Sequence, residues 1–352
     1  MSMETVKYGM EGYDVKLLQY ALKRAGMEAG DNDGIFGRRT LRALQRFQRE
    51  KGLLSDGVAG QLTWAALYPY ITGYALHRTE GHKAVTVPLD LPVVTDALLC
   101  SYLLTGLMVK GLCMRYPGIQ AREIGRSVMG RPILSLTLGE GEKQVGCLAA
   151  QHADGWMTTL GLLRFLEDCA EARAKGGTID SFPAQDILES VTLHLIPLPN
   201  PDGVDLVTGA LPTMDSFYAQ ARALAAHYLD VPFPGGWQSN IAGVDLDLQY
   251  PNGWAENRRA RFREGFTRPG PRGYVGIEPL ITPENRAIFR WAKQHDFALT
   301  LSFDDGFARW FKAIWGRPCV LLTTATGESG SSLEAACASI RPHLVRALTF
   351  SP

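Results

Sequence analysis

Apolar positions along the chain follow two rhythms. In the first seventy or so residues, Val15, Leu18, Leu22 and Ala25 recur at helical spacing, and Leu41, Leu44 and Phe47 make a second helical face. Further on, the pattern alternates between short continuous runs and helical stripes. Residues 145–150 (V-G-C-L-A-A) form an apolar run that reads as a buried strand. Leu160, Leu163 and Leu166 then mark a helix over 160–174, which Thr158 or Thr159 can cap. Similar runs predict strands at 132–138, 191–198, 297–303 and 319–323, and helices at 219–228, 283–294 and 333–348. A helix from a Thr95 cap through Met114 is predicted from Leu98, Leu99, Tyr102, Leu103 and Leu107. The turn at 139–143 between two strand-like runs predicts a hairpin. N-P-D-G at 200–203 reads as a turn, and 243–251 as a short extended piece. Strands alternating with helices imply an α/β domain with a mixed sheet.

Polar punctuation adds an internal repeat. D-G-I-F-G-R-R-T begins at Asp33, and D-G-V-A-G-Q-L-T-W begins at Asp56. In each, Asp-Gly makes a turn, a second Gly lets the backbone tighten, and a Thr stands near the start of the next helix. Residues 69–94 show little periodicity and carry glycines, prolines and mixed charge, as a connection does, with room for one edge strand at 84–87.

Composition narrows the function classes. A chain of 352 residues suits two domains, and a 46% hydrophobic content supports a sizeable core. Zero net charge gives no reason to expect nucleic acid or an anionic membrane as partner. No run is long enough for a transmembrane helix, and the first residues lack the apolar core of a signal peptide. The expectation is therefore a cytoplasmic product as synthesised. The six cysteines are scattered without a C-x-x-C pair, so neither a disulfide framework nor a zinc ribbon is expected.

The repeat, together with Gly12, Asp14, Leu18, Gln19, Leu22, Phe47-Gln48 and Gly52-Leu53, resembles the peptidoglycan-binding domain often fused to wall hydrolases. The resemblance implies three helices over 1–70, followed by a linker at 71–93. From 94 to 352 the chain resembles the zinc carboxypeptidase family, in the branch that cleaves γ-D-glutamyl-meso-diaminopimelate bonds. The matching stretches are I-G-R-S-V-M-G-R-P-I, N-P-D-G-V-D-L-V, G-V-D-L-D-L-Q-Y-P and G-F-T-R-P-G-P-R-G-Y-V-G. This resemblance implies an α/β/α sandwich with a mixed sheet.

It also implies a set of catalytic positions, and this sequence departs from most of them. The family reads H-x-x-E where this chain has His152 followed by Gly155, which has no side chain to bind metal. Asp304 stands where a second His ligand is expected, and Thr323 where the general-base Glu is expected, with Glu328 beyond it. Gln238 and Ala242 replace basic residues, and Asp247 replaces an Asn that helps to bind substrate. The segment between Gly306 and Cys319 is shorter than the family's pocket-walling loop. Zinc hydrolysis needs three protein ligands, an open position for water, a carboxylate base and donors for the oxyanion. No catalytic set is intact on this reading. His152 is a remnant ligand, Asp304 a weak second candidate, and Trp237, Asn240 and Asp247 are candidate ligand-binding residues. No cofactor is expected, unless zinc occupies a rebuilt site.

The leading expectation is a non-catalytic member of the family that binds peptidoglycan or its peptides. One alternative is an active zinc γ-D-glutamyl-diaminopimelate peptidase with a site rebuilt from His152, Asp154 and Asp304. The other is a structural subunit that holds a protein partner in a wall or spore complex.

Overall fold

The computed structural model describes residues 3–73, 91–322 and 332–349. The edge strand expected at 84–87, Thr323 and Glu328 lie outside the described residues. Contacts divide the chain into two compact units, 1–99 with 103–115, and 100–102 with 116–352.

The first unit contains α1 (Tyr13–Arg24), α2 (Arg38–Glu50), α3 (Gln61–Thr72) and α4 (Tyr102–Arg115). The repeat explains its construction. Gln19 donates from Nε2 to Asp33 Oδ1 at 2.8 Å and to Thr40 Oγ1 at 3.2 Å, and its Oε1 accepts from Gly34 N at 2.9 Å. Gln48 does the same with Asp56 at 2.8 Å, Thr63 at 3.2 Å and Gly57 N at 2.9 Å. Each aspartate also accepts from the backbone two residues on, Ile35 N and Val58 N, both at 2.9 Å. These backbone and glutamine donors hold both carboxyls below the ordinary carboxylate range.

The helix expected from Thr95 starts later, at Tyr102. Thr95 Oγ1 accepts from Ala97 N at 3.1 Å, a local turn that competes with helix, and Leu99 is exposed. The sequence puts this helix at the head of the second domain, but most of it clusters with the first unit. Gly111 has no side chain where a Cβ would come within 2.8 Å of Thr72 O, and Lys110 lies over the Tyr68 ring.

The second unit is built on one sheet. In chain order it has β1 (Gln120–Arg126), β2 (Pro132–Leu138), β3 (Lys143–Leu148), α5 (Met157–Ala174), the short pair β4 (Thr178–Ile179) and β5 (Phe182–Pro183), α6 (Ala184–Ser190), β6 (Val191–Ile196), α7 (Pro201–Thr208), α8 (Ser216–Ala225), α9 (Trp254–Arg263), α10 (Pro283–Gln294), β7 (Phe297–Ser302), α11 (Asp305–Trp315), β8 (Cys319–Leu321) and α12 (Leu333–Thr349). The sheet order is β1-β2-β6-β3-β7-β8, antiparallel on the β1, β2 and β6 side and parallel from β6 to β8. It is the mixed sheet that the sequence predicts. Leu148, Ile196 and Ile133 pack with Trp291, Phe307 and Phe311 from α10 and α11. Val145, Cys147, Leu193 and Leu195 point to the opposite face by the period of two, and they too are buried.

Several local expectations are corrected. β2 and β3 do not form a hairpin, because β6 lies between them. Gly139 and Gly141 permit this: a Cβ at either would fall about 2 Å from the Val191 and Ser190 backbone. N-P-D-G is not a simple turn but the start of α7, with Asn200 as its N-cap accepting from Gly203 N at 3.2 Å. The piece expected to be extended carries a short 3-10 turn, Leu246–Gln249. Thr158 does not cap α5. Its hydroxyl donates to Gly155 O at 2.8 Å and accepts from Ala150 N at 2.9 Å, tying the end of β3 to the start of the helix. The short segment before Cys319 is filled by α11.

Candidate functional site

His152 follows β3 and leads into a 3-10 turn, Ala153–Gly155. This puts it at the carboxyl end of a central strand, where open α/β sheets place ligands. Both ring nitrogens meet carboxylates. Nε2 lies 3.2 Å from Asp245 Oδ1, and Nδ1 lies 3.2 Å from Asp304 Oδ1. Asp304 comes from the end of β7 and opens α11, but its carboxyl does not cap that helix. Its second oxygen accepts from Gln151 N at 2.6 Å. The second oxygen of Asp245 accepts from Gly273 N at 2.9 Å. The His152 side chain is 30% exposed, whereas Asp245 and Asp304 are buried.

A third carboxylate, partly exposed, stands behind this pair. Asp247 Oδ1 accepts from Gly306 N, in the first turn of α11, at 2.7 Å. Residue 306 must be glycine here, since a Cβ would fall 1.8 Å from Asp247 O. Around these groups, Tyr250 donates to Gln151 Oε1 at 2.7 Å, and Asn285 reaches Leu246 O at 2.9 Å.

The electrostatics follow from one imidazole among three acids. Burial works against charge on His152, but Asp245 and Asp304, with Asp247 beyond them, outweigh it and raise its pKa well above the ordinary value. Burial likewise opposes charge on Asp245, yet the His152 cation and the bond from Gly273 leave its pKa lowered. Asp247 has no such partner. Burial and the neighbouring Asp304 push it up to about 7. Asp304 is raised by burial, with His152 opposing. Near neutrality the centre is thus an imidazolium bound to Asp245, with Asp247 and Asp304 resisting simultaneous ionisation.

The sequence candidates separate into two groups. His152, Asp304 and Asp247 come together. Asp154 does not join them, because Gln238 Nε2 donates to its Oδ2 at 2.9 Å. Trp237 and Asn240 are fully buried, and their polar atoms are turned into the protein. Trp237 Nε1 donates to Asn240 O at 3.1 Å, while Asn240 binds Glu284, Ala242 N and Val244 N. Asp245 is a site residue that the sequence candidates omit. A signal for it exists: two acids at alternate positions, Asp245 and Asp247, in an otherwise apolar stretch.

The zinc carboxypeptidase profile matches residues 108–328, and a putative peptidoglycan-binding domain profile matches residues 11–67. The chain belongs to the zinc carboxypeptidase family. It is 35% identical over 195 residues to gamma-D-glutamyl-L-diamino acid endopeptidase 1 of Lysinibacillus sphaericus, covering 55% of this chain and 48% of that protein. It is 36% identical over 185 residues to the uncharacterized protein YqgT of Bacillus subtilis, covering 52% and 47% respectively. The chain therefore spans about half the length of these curated relatives. Over 62 residues, or 18% of the chain and 24% of the relative, it is 44% identical to a spore cortex-lytic enzyme of Bacillus cereus. Among solved structures, bovine thrombin-activatable fibrinolysis inhibitor bound to tick carboxypeptidase inhibitor aligns with a TM-score of 0.52 at 12% identity. That alignment covers 71% of this chain and 96% of that one, a likeness of fold.

The family normally uses zinc, so the donor set can be tested for fit. Tetrahedral zinc with bonds near 2.0 Å places its donors about 3.3 Å apart. The 3.2 Å separation of His152 Nδ1 from Asp304 Oδ1 matches that edge as well as it matches an ion pair. The third donor decides the matter. Gly155 offers none, and Asp245 meets the other ring nitrogen of His152, so it does not share the Nδ1 edge with Asp304. There is also no space for a side chain at 155, where a Cβ would fall 2.5 Å from the Ala150 Cβ. Among the described residues, then, His152 and Asp304 supply two donors at a zinc-like spacing, and residue 155 supplies no third.

Proposed function

We propose that the chain is a non-catalytic member of the zinc carboxypeptidase family that binds peptidoglycan or its peptides at the cell wall or spore. The observation that carries this reading is the enclosure of His152 between two carboxylates, with glycine where the family has a glutamate ligand. Among the described residues, His152 is the one cationic side chain at hydrogen-bonding distance from Asp245 or Asp304. The peptidoglycan-binding domain match supports the wall as the partner.

Three measurements test this. Metal analysis of protein purified without chelator should give zinc well below one equivalent. Muropeptides containing diaminopimelate should remain uncut after prolonged incubation. The full chain should co-sediment with purified sacculi. Stoichiometric zinc together with cleavage that His152→Ala abolishes would replace this reading with that of an active peptidase. The zinc-like spacing of His152 and Asp304 is the observation that favours that second reading.

A further inference from the structure

Among the helices described in the second unit, α9 stands apart in one respect: none of its ten residues is buried. Its sequence, W-A-E-N-R-R-A-R-F-R, carries four arginines. Six residues on one face, Trp254, Ala255, Arg258, Arg259, Phe262 and Arg263, line an open cavity of about 350 Å³. That volume lies at the small end of ordinary ligand pockets. The lining contains three cations and no acid.

Several exposed arginines of the chain find carboxylates close by, as in Arg46–Glu50 at 2.8 Å, Arg309–Asp305 at 2.9 Å and Arg317–Asp296 at 2.6 Å. On α9 itself, Arg261 pairs with Glu264 at 2.8 Å, yet Arg261 is not among the residues that line the cavity. Among the described residues Arg258, Arg259 and Arg263 have no carboxylate partner. Arg259 and Arg263 are four residues apart, so their like charges face each other across one turn, an arrangement that weakens a helix unless an anion comes between them. Arg258 is held by rings instead. Its guanidinium carbon lies 4.6 Å from the centre of the Phe262 ring and 5.7 Å from that of Trp254. Trp254 is itself fixed by a bond from Nε1 to Val275 O at 3.0 Å. A guanidinium stacked in this way keeps its N–H edge free for a planar oxyanion.

We propose that the exposed face of α9 binds a carboxylate-bearing peptide, with the stem peptide of peptidoglycan as its source. The arginines take the carboxylates, and the half-exposed rings of Trp254 and Phe262 cover the aliphatic carbons between them. The rings favour a peptide over a phosphodiester polymer, which offers charge at every unit but little apolar surface. The choice of source rests on the wall-binding reading above. Its lining includes none of the residues of the His152 centre.

The test is calorimetric titration of the full chain with a synthetic γ-glutamyl-diamino acid stem peptide bearing free carboxylates. The same peptide with amidated carboxylates and a glycerol phosphate oligomer serve as comparison ligands. The Arg258→Gln/Arg259→Gln/Arg263→Gln variant should bind the free-acid peptide about ten-fold or more weakly, and amidation should weaken binding to the native chain similarly. Gln is a good helix former and these arginines bridge to no carboxylate among the described residues, so α9 should persist, and far-UV circular dichroism checks this. Arg258→Lys, which keeps the charge but loses the planar fork, should give part of the loss. Unchanged affinity in the folded triple variant, no binding by the native chain, or tighter binding of the glycerol phosphate oligomer would each overturn the proposal. Co-sedimentation with sacculi separates the two readings. If the native chain still sediments while peptide affinity ignores the arginines, the α9 proposal fails alone. If sedimentation is also absent, the wall-binding reading fails with it.

Discussion

Two polar networks, one in each unit, solve the same problem by opposite means. In the first unit, Gln19 and Gln48 each knit an Asp-Gly turn to the next helix through neutral donors and one carboxylate. In the second, His152 joins carboxylates from two distant segments, with a third acid close behind. The first network is assembled from residues within about twenty positions of one another, and each donor meets an acceptor. The second spans from Gln151 to Asp304 and contains more negative than positive charge. A network of the first kind should contribute stability that hardly responds to pH, whereas the second should make the unit's stability depend on it.

The largest effect expected is from His152→Ala. Removing the cation leaves Asp245 and Asp304 buried without their partner, a change that costs roughly 3–5 kcal/mol in comparable buried pairs. The sign with pH follows from the raised pKa of His152. Its contribution is fully present below the unfolded imidazole value and is lost as pH rises through the elevated folded value. The gap between native and variant in urea unfolding should therefore be wide at pH 7 and narrow on the alkaline side. Six of the seven tryptophans lie in the second unit and only Trp64 in the first, so fluorescence reports mainly on the right transition. A small, pH-independent loss would show that the ring is a bystander.

Asp247→Asn should act in the opposite direction. The folded pKa of about 7 stands above the ordinary 3.8, so native Asp247 lowers stability progressively as pH rises between those values. The amide keeps an oxygen for Gly306 N and removes the charge. A gain on the order of 2 kcal/mol is expected at pH 8, shrinking to little at pH 4. Melting temperatures of the two proteins that run parallel from pH 4 to 8 would contradict it.

Gln48→Ala and Gln19→Ala sharpen the other side of the comparison. Each leaves an Asp-Gly turn without its glutamine, at a cost of about 1–2 kcal/mol. The two costs should be similar, and flat between pH 6 and 9, because both aspartates titrate below that window. Thermal unfolding of the first unit, followed through Trp64, is the measurement. A strong difference between the two variants would mean that the repeat is geometric but not energetic.

The same contrast accounts for what is legible in the sequence. The repeat is legible because its partners are close in the chain and its turn chemistry is local: Asp33-Gly34 and Asp56-Gly57 announce themselves. The alternation of strands and helices is legible for the same reason. Neighbours across the sheet are not. Nothing near 139–143 signals that β6 will enter between β2 and β3, and only the close approach of Gly139 and Gly141 to Val191 and Ser190 makes it plain. The carboxylate that meets His152 Nε2 escapes a sequence reading because it lies some ninety positions away, and Asp304 reads only as a weak ligand candidate because its aim at the ring is a tertiary fact. Asn240 and Trp237 are candidates for ligand contact by resemblance, while their burial shows polar groups already bonded within the protein.

The smallest effect concerns the closed corner beside His152, and it probes how far the second network has departed from a metal site. Gly155→Ala places a methyl group 2.5 Å from the Ala150 Cβ, closer than carbon atoms approach without a shift. Because the turn is also held by Thr158 between Gly155 O and Ala150 N, it cannot simply move away. An overpacking cost of about 1 kcal/mol is expected. Ala150→Gly in the same chain removes the opposing methyl and should recover part of that loss, less the entropy that a new glycine adds to the unfolded chain. The pair therefore tests a specific contact rather than general fragility. If Gly155→Ala is neutral by itself, the corner has room, and a Glu side chain could be restored at 155 without altering residue 150. If the loss appears and Ala150→Gly relieves it, then residues 150 and 155 have become matched to each other, and regaining a glutamate ligand would require changing both.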